Sequence, residues 1–373
     1  MKIQLFRPNI SEAAIEAVAE VLRSGWIGLG PKVKEFELKF SEFVGSRYAV
    51  ATNSCTAALH LALIVSGIKG GDEVITTPLT FVSTNHVILY QGAIPVFADV
   101  DPKTYCIDPE SIEKMITKRT KAIVCMHYGG HPCDLDAIYS IASKYDLKVI
   151  EDAAHACGSS YKGRKIGSFG LTCFSFHAVK NLPTGDGGMT TTNDKEQYEK
   201  LKMLRWLGID KDTYARADKD KGKTGVYAWK YDVPMVGYKC HMNDITASIG
   251  IEQLKLVEKQ NDYRRRLAAL YNGGLRNNNI LALPHVSPDI ITSQHLYVIQ
   301  VKRRDDLIAK LNSNSIEAGV HYIPNNLFPM YGNCRADVRN AMNVSKNIIS
   351  LPMHTMLTEE NIQEVIKVIN RGW

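Results

Sequence analysis

An α/β protein is what the sequence predicts: a large domain with a mainly parallel (mixed) sheet flanked by helices, then a smaller C-terminal α+β domain. Three observations carry this. Short apolar runs alternate with helix-length segments from about Tyr48 to Phe176, the pattern changes after Gly188, and a separate set of strand-like and helix-like segments follows Arg264. Strands that alternate with helices argue for parallel pairing with helices on both faces of the sheet.

Each element follows from its local pattern. Tyr48–Ala51 reads as the first strand and Thr56–Ile64 as the helix after it; Glu73–Ile75 leads to a helix at Phe81–Tyr90, and Ile94–Phe97 to one at Pro109–Ile116. Ala122–Cys125 precedes a helix at Leu135–Tyr145, and Lys148–Glu151 leads on to the strand Thr172–Phe176. Beyond Gly188, Lys195–Leu207 is helical, Asp210–Lys230 is charged and polar like a lid or loop, and Asp244–Gln260 has the apolar spacing of one long helix. That helix hands the chain to a second domain with a strand at Leu296–Val301, a helix at Arg304–Leu311 and a final helix at Glu359–Asn370. The expected division is 1–255 and 256–373.

Composition bounds the function. With 45% hydrophobic and 23% charged residues in 373, the chain has ordinary globular usage, which excludes a disordered or fibrous protein. The net charge of +6 is spread over mixed signs, and its one short basic run, Arg264–Arg266, reads as a solvated helix face. No nucleic-acid partner is expected, and the modest positive excess suits an anionic small molecule. No window approaches the roughly 18–20 apolar residues of a membrane span, and Met1–Pro8 lacks the apolar centre of a signal peptide, so a cytoplasmic location is expected. The eight cysteines form no C-x-x-C pair and read as reduced core thiols. His127 and His131 are four apart, but Gly129 and Gly130 between them disfavour the helix that would align them, and no metal site is expected.

Four strand ends carry unusual residues. In Asn53–Leu59, small polar residues stand between a strand and a helix, where free N–H groups and the helix dipole form an anion cup for a phosphate; an ordinary N-cap by Ser54 or Thr56 fits the same residues. Phe81 follows a strand and reads either as core or as a stacking platform. Asp152 ends an apolar strand, where a buried carboxylate needs a cationic partner, a protonated ring nitrogen or a plain ion pair. The fourth is SFHAVKNLPTGDGG from Ser175 to Gly188, which puts Lys180 at the same sheet edge; partial desolvation there lowers an amine's pKa and makes it nucleophilic toward carbonyls. Together, a phosphate cup, a stacking aromatic, a carboxylate for a pyridinium and an imine-forming lysine are the parts that pyridoxal phosphate requires.

With these residues in view, the chain resembles the DegT/DnrJ/StrS-type sugar aminotransferases over nearly its whole length. The markers, in family order, are Gly25–Pro31, Asn53–Leu59, Gly71–Ile75, Thr80-Phe81, Glu151–His155, the stretch around Lys180, Val236–Lys239 with Met242–Ile245, and His321-Tyr322. The resemblance implies the fold type I of pyridoxal-phosphate-dependent transferases and pyridoxal 5′-phosphate as cofactor. It implies that Lys180 forms the imine with the cofactor and then carries the proton, that Asp152 partners the pyridinium nitrogen, and that Phe81 stacks on the ring. Ser54, Cys55, Thr56 and Ser175 match phosphate-binding positions, with Cys55 where relatives often have Gly. His155 stands where relatives often carry Gln near the cofactor's phenolic oxygen, and Lys239 where many have an Asn that reaches the phosphate from the second subunit. Trp26, Ile27, His321 and Tyr322 are expected to face substrate.

The implied reaction passes an amino group from L-glutamate to a nucleotide-linked keto sugar, a 4-keto-6-deoxy hexose, toward an amino sugar for a surface polysaccharide or glycoconjugate. A homodimer with shared active sites is implied as well. The alternatives are a 3-keto sugar or inosose as acceptor, a sugar dehydratase of the same superfamily, against which Lys180 argues because those members carry His there, and a non-catalytic sensor of cofactor or sugar nucleotide. A nicotinamide enzyme would rest on Gly25–Gly30, which does not form G-x-G-x-x-G after a strand.

Overall fold

The structure, a computed structural model, describes residues 2–210 and 231–373. The segment read as a lid lies outside the described residues apart from Asp210.

Helices α1 (Glu12–Ser24) and α2 (Pro31–Val44) come first. α2 has no cap of its own: Gly30 precedes it, and the carboxylate of Asp244 accepts the N–H groups of Gly30 (3.0 Å), Lys32 (3.1 Å) and Val33 (3.0 Å) instead. Four donors are left over at any helix start, so a remote side chain here does the work of a local one.

Then follow β1 (Tyr48–Thr52), α3 (Cys55–Val65), β2 (Glu73–Thr76), α4 (Ser83–Tyr90), β3 (Ile94–Phe97), α5 (Pro109–Met115), β4 (Thr120–Met126), α6 (Leu135–Lys144) and β5 (Lys148–Asp152). After the short hairpin β6 (Ser160–Tyr161) and β7 (Arg164–Lys165) come β8 (Leu171–Ser175), β9 (Gly188–Thr192) and α7 (Lys195–Leu204). Seven strands make one sheet in the order β1-β9-β8-β5-β4-β2-β3. Pairing is parallel from β3 through β8, and β9 runs antiparallel to both β8 and β1. The expected mixed sheet is therefore present, and its strands are buried almost without alternation, as helices on both faces require.

The remaining elements are α8 (Asp244–Leu254), α9 (Val257–Gly274), β10 (Ile280–Ala282), β11 (Ile290–Ile291), β12 (Tyr297–Val301), α10 (Arg304–Ser313), α11 (Arg339–Ser345), β13 (Ile348–Leu351) and α12 (Glu359–Asn370). The order β10-β12-β13 makes a second, antiparallel sheet, covered by a hydrophobic cluster that includes Leu267, Tyr271, Ile299, Leu307, Ile349 and Ile366.

Two expectations need correction. The single helix over Asp244–Gln260 is two helices, broken at Lys255-Leu256, where the Leu256 N–H turns back to the Gln253 carbonyl. The basic run is not a uniformly solvated face. Val257, Asn261, Arg264, Ala268 and Tyr271 fall at helical spacing on the buried side of α9, so Arg264 is 6% exposed while Arg265 and Arg266 face outward to Asp262 and Glu359. All eight cysteines are free thiols, six of them buried.

Candidate active site

The carboxyl ends of β5 and β8 and the segments after β1 and β2 converge on a cavity of about 330 Å³. Ser54, Cys55, Thr56, Phe81, Asp152, His155, Ser175, Lys180, His321 and Tyr322 all line it. Trp26 and Ile27 do not; the Trp26 indole donates to the Leu29 carbonyl at 3.3 Å, and Ile27 is exposed. Lys239 does not either, its Nζ lying 3.7 Å from the centre of the Trp206 ring.

Asp152, the last residue of β5, is 3% exposed. Burial raises its pKa, and the opposing influences come from the Thr84 hydroxyl (2.7 Å to Oδ2), the Ala154 N–H (3.0 Å to Oδ1) and the charge of Lys180. Since the one hydroxyl proton of Thr84 goes to the carboxylate, Thr84 accepts in turn from Thr80 at 2.7 Å.

Lys180 follows β8 in a turn closed by its own N–H on the His177 carbonyl, 2.8 Å. Burial pushes its amine down to about 8, while Asp152 and Cys55 hold it up. The side chain is half-buried and its Nζ lies 3.5 Å from His295 Nε2. An amine with that pKa keeps a neutral fraction near neutral pH and attacks carbonyls.

At the start of α3, Ser54 is extended and its hydroxyl accepts the Ala57 N–H at 3.2 Å, which is an N-cap; the Ala58 N–H goes to the Ser54 carbonyl. Ala58 makes the first intrahelical bond and Ala57 is capped, so the N–H groups of Cys55 and Thr56 in the first turn have no partner within the helix, and both residues line the cavity. The N-cap and the anion cup therefore coexist. Gly188 presses on this turn from β9: a Cβ there would stand 2.5 Å from the Ser54 carbonyl and 2.6 Å from the Cys55 nitrogen. The Cys55 thiol is buried and held well up by burial.

The opposite wall is aromatic. His155 Nδ1 accepts the Gly129 N–H at 3.2 Å, so its Nε2 carries the proton and donates to the Tyr322 hydroxyl at 3.0 Å. His321 Nδ1 pairs with Ser350 Oγ at 2.8 Å and burial pushes the ring down to about 4. Phe81 is 58% exposed, with its ring centre 6.3 Å from that of Tyr322. Sequence reasoning missed Thr84, Asn181 and His295. Thr84 stands at the fourth position after Thr80 in a polar helix start, and His295 directly precedes the strand read at Leu296–Val301.

His127 and His131 serve the structure. His127 Nε2 pairs with Glu151 at 3.0 Å and His131 Nδ1 with the Pro132 carbonyl at 2.7 Å. No group of three metal-ligating side chains is assembled among the described residues.

Comparison with known families decides the class of the site. The model of the DegT/DnrJ/EryC1/StrS aminotransferase family matches residues 8–370. The chain belongs to this family. It is accordingly a pyridoxal-5′-phosphate-dependent transaminase of fold type I. Among its relatives, the uncharacterized protein MJ1066 of Methanocaldococcus jannaschii is 44% identical, over 98% of this chain and 96% of the relative. The spore coat polysaccharide biosynthesis protein SpsC of Bacillus subtilis is 43% identical, over 97% and 95%. Among solved structures, the putative sugar aminotransferase Spr1654 of Streptococcus pneumoniae in its PMP form superposes with a TM-score of 0.91 at 34% identity, covering 98% of each chain.

The residues present fit the family's cofactor. The cavity holds a helix N-terminus with two donors left for an anion, a buried carboxylate with a raised pKa, and an amine of lowered pKa. Among the described residues no helix is long and apolar enough to cross a membrane.

Proposed function

We propose that this transaminase moves an amino group from L-glutamate to a nucleotide-linked keto sugar, a 4-keto-6-deoxy hexose, in the biosynthesis of an amino sugar for a surface polysaccharide or glycoconjugate. One observation carries the reading: the half-buried Lys180 amine and the buried Asp152 carboxylate share a cavity with the start of α3. The names of SpsC and Spr1654 support the sugar and polysaccharide context.

When bound, pyridoxal 5′-phosphate supplies an electron sink at the carbon that loses a proton. Asp152, whose ionised form is favoured by its bonds from Thr84 and Ala154 against the pull of burial, would accept the ring N–H. The N–H groups of Cys55 and Thr56, with the hydroxyls of Ser54, Thr56 and Ser175, would hold the phosphate. Phe81 would cover one ring face, and His155, whose Nε2 proton goes to the Tyr322 hydroxyl, would stand beside the phenolic oxygen. Lys180 Nζ would be the group that holds the cofactor covalently and, when free as an amine, the base that moves the proton at the substrate carbon. His321 and Tyr322, which line the cavity, would contact the sugar nucleotide.

The working unit in this reading is a cytoplasmic homodimer with shared sites, where Lys239 serves the partner's phosphate. Each chain divides into residues 1–255, which hold the cofactor, and 256–373. Purified enzyme incubated with L-glutamate and a panel of nucleotide-linked 3-keto and 4-keto sugars and inososes tests the reading by product mass. An amino sugar from a 4-keto-6-deoxy hexose is expected; amination of an inosose alone would overturn it.

A further inference from the structure

His295 stands at the start of the segment that enters β12, far in sequence from the strand ends that define the cavity, yet its ring lines that cavity and reaches the reactive amine. The hydrogen bonds around it leave one arrangement of protons. Backbone carbonyls only accept, so Asn181 Nδ2 donates to the Ser293 carbonyl (2.8 Å), and it also donates to Asn261 Oδ1 (2.7 Å). Asn261 is oriented by the same logic, since its Nδ2 donates to the Cys157 carbonyl at 2.9 Å. Asn181 Oδ1 is thus an acceptor, and His295 Nδ1, 2.9 Å away, must be the donor.

A neutral ring with its proton on Nδ1 has a lone pair on Nε2, and that atom lies 3.5 Å from Lys180 Nζ. The ring is held by a stacked contact with Phe6, centres 5.9 Å apart at 12°, and a tilted one with His155, centres 4.3 Å apart at 37°. Burial and the charge of Lys180 both hold His295 well below its ordinary pKa, so the ring stays neutral beside the amine. The other titratable groups facing the pair are Asp152, Cys55, His155, His177, His321 and Arg264.

We propose that His295 is a positioning residue: its Nε2 lone pair holds the ε-amine of Lys180 whenever that amine is free of the cofactor, and Asn181 fixes the tautomer that presents the lone pair. This rests on the reading of Lys180 as the covalent lysine. The amine gains a fixed direction in the interval when it carries a proton, and the ammonium form gains a hydrogen bond that does not add a second charge.

The test follows the rate at which full-length protein freed of its cofactor captures pyridoxal 5′-phosphate, read by visible absorbance, over a pH range that spans about 8. His295→Leu is expected to lower the plateau rate about ten-fold, the order of one hydrogen bond to the neutral amine, and, by removing the acceptor of the ammonium form, to move the midpoint to lower pH. His295→Gln, which keeps an acceptor at similar reach, is expected to restore most of both. The proposal is overturned if His295→Leu behaves as wild type, or if His295→Gln fails as badly as His295→Leu, which would assign the ring to packing between Phe6 and His155. Should His295→Leu not fold, ¹⁵N spectra of the wild-type ring decide: a proton on Nδ1 supports the proposal and one on Nε2 overturns it. Loss of the Lys180 reading looks different, because Lys180→Ala would then capture the cofactor as wild type does.

Discussion

Thr84 donates its only hydroxyl proton to Asp152 Oδ2 at 2.7 Å, from the first turn of α4 to the end of β5. Asp152 is otherwise pushed toward its neutral form by burial, so this bond favours the ionised carboxylate. Thr84→Val is expected to raise the Asp152 pKa further and to weaken cofactor binding about ten-fold, the value of one hydrogen bond to a charge. Thr84→Ser is expected to bind nearly as wild type. Equilibrium dialysis of the cofactor separates the two.

Gly188→Ala places a methyl group 2.5 Å from the Ser54 carbonyl, and that neighbour is backbone that cannot swing aside. The start of α3 must shift, and the two donors of Cys55 and Thr56 shift with it. We expect faster loss of cofactor on gel filtration and weaker retention of inorganic phosphate by the cofactor-free protein, with the fold kept. Unchanged retention of both would show that the cup lies elsewhere.

Acid is expected to destabilise the protein through its buried histidines. His354 donates from Nε2 to the Gln4 carbonyl (3.1 Å) and accepts the Met356 N–H at Nδ1 (3.2 Å), so it is neutral in the fold, and burial pushes it down to about 4, as it does His321. The unfolded chain takes up these protons from about 6.5 downward, and the folded chain only near 4. Between those values the unfolded state binds more protons, so stability falls as pH falls. In thermal unfolding, the midpoint of wild type should drop between pH of about 6.5 and 4. Its advantage over His354→Gln should narrow across the same window.

Shared sites make a quantitative prediction. Lys180→Ala and Lys239→Ala chains, each inactive alone, should regain about one quarter of wild-type turnover when refolded as an equal mixture, because half the dimers are mixed and each mixed dimer has one intact site. Full activity of Lys239→Ala by itself would remove that residue from the site.

The sheet was legible in the sequence because its strands are buried on both faces and so read as unbroken apolar runs. Asp152 and Lys180 were legible for the opposite reason, as charges at the ends of those runs. The break at Lys255-Leu256 was not, since Leu254, Leu256 and Val257 continue the apolar spacing with no Gly or Pro to mark a stop. The helix read from Phe81 begins at Ser83, and ahead of it the Thr80 hydroxyl bonds to Thr84, which in turn bonds to Asp152, contacts that periodicity does not contain. His295 reaches the amine across 115 residues, and only the tertiary fold brings such pairs together.

The carboxylate that closes the start of α2 arrives late. A ribosome makes Gly30, Lys32 and Val33 more than 200 residues before it makes Asp244, so through most of synthesis the front of that helix has only water for its donors. Phe40 can already pack on Phe174 and Phe176 by then, but a nascent polypeptide stalled before Asp244 would leave uncovered the side of Phe36 that meets Gly250 of α8.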